Sequence, residues 1–214
     1  MDTSTSVITA ACLRAGDVLS EATVRDAQSH GELLAPTLLR AMNEAGGVPR
    51  DLTRIVVGVG PGPFTGLRVG MSTALVMGHA LGIPVVGVCS LDAIASGVGD
   101  RYPEFIVATD ARRKEIYWAR YAVTEGRFQR ISGPAVSRAS DLPVHVAALP
   151  AVGVGPRLYP ESLMAGRGPL DVSAADLGRL AARDDLLLAP EPLYLRRPDA
   201  VPSARTPTFT ASTR

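Results

Sequence analysis

Cysteine is scarce: two occur in 214 residues, Cys12 and Cys89, far apart and outside any Cys-x-x-Cys. That spacing argues against a disulfide framework and a cysteine zinc site, and for two free thiols in a reducing cytosol. Histidine is scarcer still for metal work. His30, His79 and His145 form neither His-x-x-x-His nor His-Glu-x-x-His. No charge of one sign dominates, with Lys+Arg 22 against Asp+Glu 21 and a formal net charge of +1. A protein gripping nucleic acid through its own surface would show a basic excess; a role beside nucleic acid within a complex stays open. The opening Met1-Asp2-Thr3-Ser4 has no basic or apolar leader, so no signal peptide is expected. Residues 69–91 lack Asp, Glu, Lys and Arg, but Gly78, His79, Gly82 and Pro84 interrupt them. They read as a buried helix, a stop and a buried strand rather than a membrane span.

What is present is ordinary globular stock: 46% hydrophobic and 20% charged residues, enough for a core without staples. Residues 6–14 and 18–24 read as a hairpin turning at Ala15-Gly16-Asp17. Ser29 with Glu32 forms a Ser-x-x-Glu helix start. Leu33, Leu34, Leu38, Ala41, Met42 and Ala45 follow at helical spacing until Gly46-Gly47, with Pro36 inside. Ile55–Val59 reads as a strand covered on both faces, followed by a glycine loop, a helix over about 65–81 and a buried strand over 85–88. Strand, loop, helix, strand is a βαβ unit and implies a parallel sheet. Ser90 predicts an N-cap for a short helix over 91–96.

The pattern then restarts. Residues 105–110 are apolar and end in Asp110; strands are predicted over 116–123, 128–131 and 152–154, and a helix capped by Ser173 with Asp176. Asp2 matches Asp110 and Gly16 matches Gly126 at nearly the same offset, an internal repeat of elements. The expected organisation is an N-terminal lobe over 1–100, a C-terminal lobe over 101–195 and a mobile tail over 196–214.

The sharpest motif runs from Gly58 through Gly60, Gly62 and Gly66 to Gly70. It is neither a Walker A loop nor the dinucleotide G-x-G-x-x-G. Glycines before a helix suit either an anion held by backbone N–H groups or a tight turn that needs their backbone freedom. Gly66, Gly70, Ala74 and Gly78 recur every four residues as a smooth ridge beside Leu67, Met71 and Leu75. Such a ridge admits a close helix, either from a partner or from the chain's own layer. Asp2-Thr-Ser-Thr reads as a phosphate or magnesium loop or as a polar terminus. Arg112-Arg113-Lys114 reads as a solvated turn or a phosphate contact. No convincing catalytic nucleophile–base motif stands out in the sequence.

The run Gly60-Pro-Gly-Pro-Phe-Thr-Gly-Leu-Arg-Val-Gly70 closely resembles the signature of the bacterial TsaB family. Asp2-Thr-Ser-Thr, Ser90-Leu-Asp-Ala, Asp110-Ala-Arg-Arg-Lys-Glu-Ile-Tyr-Trp-Ala119 and Pro192-Leu-Tyr-Leu-Arg-Arg-Pro198 agree, in order, over about residues 2–198. The resemblance implies an α/β fold of the actin-like ATPase (ASKHA) type: two ribonuclease-H-like lobes, with mixed central sheets flanked by helices. It implies a cytoplasmic, non-catalytic scaffold that activates the enzyme forming N6-threonylcarbamoyladenosine beside the tRNA anticodon. The catalytic paralogue carries the His-x-x-x-His metal motif and would dock on the first two helices as a four-helix bundle. The implied interface is Leu33, Leu34, Leu38, Met42, Gly66, Leu67, Gly70, Met71, Ala74 and Gly78. A small ATPase joins the complex, tRNA is met only indirectly, and the chain alone would form a homodimer through the same surface. The resemblance implies no cofactor of its own, with ATP or ADP at the complex interface and Asp2, Gly60, Gly62, Thr65 and Gly66 as nucleotide or anion contacts. The alternative is a stand-alone nucleotide or phosphoryl hydrolase using Asp2, Asp110 and the glycine loop. A peptidase reading has no nucleophile–base pair or zinc motif behind it.

Overall fold

The computed structural model describes residues 1–26 and 28–196. The expected tail lies outside them except for Arg196, whose guanidinium donates to the Ala111 carbonyl and pairs with Glu115.

The hairpin forms as β1 (Val7–Arg14) and β2 (Asp17–Arg25), antiparallel, with Ala15 at φ 52° and Gly16 at φ 93° making the turn. Helix α1 (His30–Glu44) begins at Ser29, but the Ser29 side chain caps nothing. Asp26 Oδ1 accepts the Gln28 and Ser29 amides instead, 2.7 Å each, and so orders the approach to the helix. β3 (Ile55–Gly58), α2 (Phe64–Leu81) and β4 (Val85–Val88) form the βαβ unit, and β3 and β4 pair in parallel. Gly82 ends α2 in the left-handed conformation, φ 66°. Helix α3 (Ser90–Ser96) starts one residue earlier than the Ser90 cap predicts: Cys89 is the cap, and the Ser90 hydroxyl is engaged elsewhere.

The second half builds β5 (Glu104–Asp110), β6 (Glu115–Thr124) and β7 (Arg127–Arg138), the last far longer than its apolar run predicts. Then come α4 (Val144–Ala147), β8 (Ala151–Val152), α5 (Gly155–Leu158) and α6 (Ala174–Leu180). The Ser173 cap is real, its Oγ accepting the Asp176 amide at 3.1 Å. The sheet order is β7-β6-β5-β8, antiparallel except for the β5–β8 pair.

Burial explains the arrangement. Ile8, Leu34, Val57, Val59, Met71 and Ala74 form one core between β1, β3, α1 and α2. Each large side chain fully buried there is worth about 1.5–3 kcal/mol. A second core joins α3, β5, β6 and α6 through Leu91, Ile94, Phe105, Tyr121 and Leu177. The chain also crosses back after residue 186. Leu188 pairs with Gly87 of β4, and the Leu193 amide donates to the Val59 carbonyl at 2.8 Å. Residues that follow the second sheet in sequence therefore close the first layer.

Candidate functional site

The glycine loop and residues 2–4 form one buried unit. Asp2 is fully buried and its carboxylate takes three donors. Oδ1 accepts the Ser4 amide at 2.8 Å and the Ser4 hydroxyl at 2.7 Å; Oδ2 accepts the Ser90 hydroxyl at 2.6 Å. Ser90 Oγ in turn accepts the Gly60 amide at 3.1 Å. Thr3 is equally engaged. Its hydroxyl donates to the Gly66 carbonyl at 2.7 Å and accepts the Gly70 amide at 3.0 Å, spanning one rung of α2.

This contact needs glycine. A Cβ on Gly58 would strike the Asp2 carboxylate, on Gly62 the Ser4 backbone, on Gly66 the Thr3 carbonyl, and on Gly70 the Thr3 hydroxyl. Gly60 also turns the chain at φ 94°. Of the two readings of the loop, the tight turn holds, with residues 2–4 as the close neighbour. Of the residues expected to contact a nucleotide or anion, Asp2, Gly60, Gly62 and Gly66 are buried and Thr65 is exposed, with Thr65 and Gly66 lining a cavity.

The small-residue ridge lies against the chain's own residues. Gly66 and Gly70 face Thr3, Gly78 faces Val85, and Ala74 is fully buried. Leu34, Met42, Leu67 and Met71 are core, at 1%, 7%, 1% and 4% exposure; Leu33 and Leu38 are half-buried against it. The side of α1 and α2 facing solvent carries other residues: Leu39 at 59% exposure, Leu75 at 43%, Val76 at 68% and Phe64 at 38%. Arg68 lies over the Phe64 ring, 3.7 Å from its centroid, and Tyr194 stacks on Phe64 with centroids 5.1 Å apart.

A cavity of about 450 Å³ opens beside Thr65 and Gly66. His30, Thr109, Asp110, Arg112 and Asp171 also line it. Its charges are largely matched: Asp110 with Arg112 at 3.4 Å, and Asp171 with Arg25. His30 Nε2 lies 2.7 Å from the Thr5 carbonyl. Arg112, Arg113 and Lys114 all hold left-handed backbone, φ 60°, 55° and 62°. That is a strained turn, pinned where Asp110 Oδ1 accepts the Arg112 amide at 2.7 Å. Asp2 and Asp110, paired in the hydrolase alternative, serve different places: one is buried in the loop unit and one lies at the cavity wall. No metal-holding group of three or more His, Cys, Asp and Glu occurs among the described residues.

One buried polar cluster escaped the sequence reading. Asp92 Oδ1 accepts the Tyr121 hydroxyl at 2.8 Å and Arg130 Nη1 at 3.2 Å. Burial pushes the Asp92 carboxyl up, opposed by Arg130, and pushes the neighbouring Cys89 thiol up to about 12. Burial also raises Cys12, so both thiols are poor nucleophiles. The signal available in sequence was Asp92 itself, an acid inside an otherwise apolar short helix.

Comparison with known proteins places this architecture. The family model described as TsaD: tRNA N6-adenosine threonylcarbamoyltransferase matches residues 18–153. An uncharacterized protein of Mycobacterium tuberculosis is 44% identical over 219 residues, covering 95% of this chain and 93% of the relative. The tRNA threonylcarbamoyladenosine biosynthesis protein TsaB of Bacillus subtilis is 31% identical over 132 residues, 61% of this chain and 57% of that one. A crystal structure from Pseudomonas aeruginosa, titled as an uncharacterized protein with similarity to peptidase YEAZ, superposes with a TM-score of 0.76 at 28% identity. It covers 91% of this chain and 97% of that chain. The fold is the α/β, ASKHA-type architecture that the sequence implied. Within that class, the chain belongs to the TsaB family.

Proposed function

We propose that this protein is a scaffold subunit in N6-threonylcarbamoyladenosine formation on tRNA, and that it activates a catalytic paralogue by docking on it. The observation that carries the docking mode is the outward face of α1 and α2. Leu39, Leu75 and Val76 sit exposed on two helices that pack against each other, while the inner faces are already filled. A helix apolar on both sides is suited to a core on one side and a partner on the other. The interface therefore shifts from the glycine ridge to the larger side chains around Leu75 and Val76. A homodimer through this face would compete with the paralogue. A small ATPase completes the assembly, and tRNA is met through the partners. Any ATP or ADP at the interface would meet Thr65 and the cavity beside it rather than Asp2. No helix among the described residues is long and apolar enough to cross a membrane.

The test is co-purification with the paralogue and a tRNA modification assay containing all subunits. Val76→Asp with Leu75→Glu changes exposed positions, so thermal stability should move by no more than about 0.5 kcal/mol. Loss of a packed apolar anchor should weaken association by about 2 kcal/mol or more, and modification should fall with it. Unchanged assembly and modification would remove this face from the interface.

A further inference from the structure

Arg68 is the only arginine or lysine in α2, and it is held rather than free. Its guanidinium lies over the Phe64 ring, and its Nε donates to the Tyr194 hydroxyl at 3.2 Å. Tyr194 is itself fixed. It stacks on Phe64, and it sits between the Leu193 amide, which donates to Val59, and Arg196, which donates to the Ala111 carbonyl at 2.9 Å. Arg68 is exposed, and among the described residues neither of its terminal nitrogens has a hydrogen-bond partner and no carboxylate pairs with it. An ordered guanidinium gives up less freedom on pairing than a mobile one.

The placement of that cation bears on what can dock. Phe64, Arg68 and Leu75 are four and seven residues apart, so they lie along one side of α2 over about 17 Å. From its N-terminal end the outward face reads aromatic, cationic, then aliphatic. Tyrosine and arginine are the side chains that most often anchor an interface. From Phe64 to Leu81 the helix holds no Asp or Glu. Helix α1 holds Glu32 in its first turn and Glu44, which already pairs with Arg40 at 3.5 Å. Two copies meeting α2 against α2 therefore offer Arg68 no carboxylate in either direction, and side by side in parallel they set two Arg68 cations together.

We propose that Arg68 decides between partners on the docking face described under the proposed function, on which this inference rests. It takes a carboxylate on a helix of the catalytic paralogue through its two terminal nitrogens, and it opposes self-association of this chain. The occupant is thus a different chain, with an acidic side chain opposite Arg68 and apolar ones opposite Leu75 and Val76. Phe64 and Tyr194 keep the guanidinium in position for it.

The test uses Arg68→Met, which keeps an apolar stem on Phe64 and removes the charge. Light scattering reads self-association, and calorimetry reads affinity for the paralogue at low and high salt. Arg68→Met should weaken the paralogue complex about tenfold and flatten its salt dependence, while self-association stays equal or strengthens and the melting temperature holds. Arg68→Lys should recover only part of the loss, because an ammonium lacks the planar fork. Unchanged affinity for the paralogue, or an equal loss in both associations, overturns the proposal. Val76→Asp with Leu75→Glu separates it from the wider reading. If that double variant loses the paralogue and Arg68→Met keeps it, the role of Arg68 falls and the docking face stands; if both variants keep it, both fall. Retention of a single-stranded RNA oligonucleotide that Arg68→Met abolishes, with paralogue affinity unchanged, overturns the protein occupant in favour of nucleic acid.

Discussion

The two lobes repeat one pattern with opposite treatment of the same carboxylate. In the second lobe, Asp110 closes a full strand paired on both sides; its side chain is 31% exposed and looks onto the cavity. In the first lobe, Asp2 follows a single residue, is fully buried, and takes three donors from Ser4 and Ser90. The first lobe carries glycines at 58, 60, 62, 66 and 70, whereas the second repeats only Val-Gly-Val-Gly-Pro at 152–156, where Gly153 and Gly155 lie against Ala108. The difference shows what the run is for. It is the trough that lets residues 2–4 lie against the loop and α2.

The sharpest way to break this comparison is to remove each carboxylate in turn. Asp2→Ala strands two hydroxyls and an amide in the interior and should cost about 4 kcal/mol, close to unfolding a marginal domain. Asp110→Ala loses one turn bond and a half-exposed ion pair and should cost about 1 kcal/mol. Urea unfolding of both variants measures the gap, and equal costs would mean the clamp is not a clamp. Gly70→Val comes next. Its side chain would displace the Thr3 hydroxyl from the α2 rung, so about 3 kcal/mol should be lost. Thr3→Ala in that background should cost little more, because the bond is already gone.

Legibility followed the range of the forces. The hairpin, α1, the βαβ unit and the Ser173 cap are set by local patterning and were readable. β7 was read too short because Ser132, Gly133 and Pro134 look like a break; pairing with β6 carries the strand through them, with register shifts. What covers the small-residue face of α2 was left open for another reason. Spacing shows that Gly66, Gly70, Ala74 and Gly78 align, but not what lies against them. Thr3 is more than sixty residues away in sequence and its contact is set by the fold. The Asp92–Tyr121–Arg130 cluster is hidden in the same way, since its members sit on three elements.

The smallest expected effect is a pH dependence that comes from the buried Met1 amine. Burial holds the Met1 amine below its ordinary 8.0, with Asp2, Cys12 and Glu21 pulling weakly the other way. Between the lowered folded value and 8.0, the unfolded chain therefore holds more protons than the folded one, and stability rises with pH across that window before levelling off. Other buried groups act with the opposite sign. Asp92, raised from 3.8, makes stability fall as pH climbs from the acid side. Cys89, raised from 9.0 to about 12, makes it fall again above 9. Urea midpoints should thus climb as pH rises toward 8.0 and level off above it, and acetylating the Met1 amine should flatten that climb. A flat profile would mean that the amine reaches water.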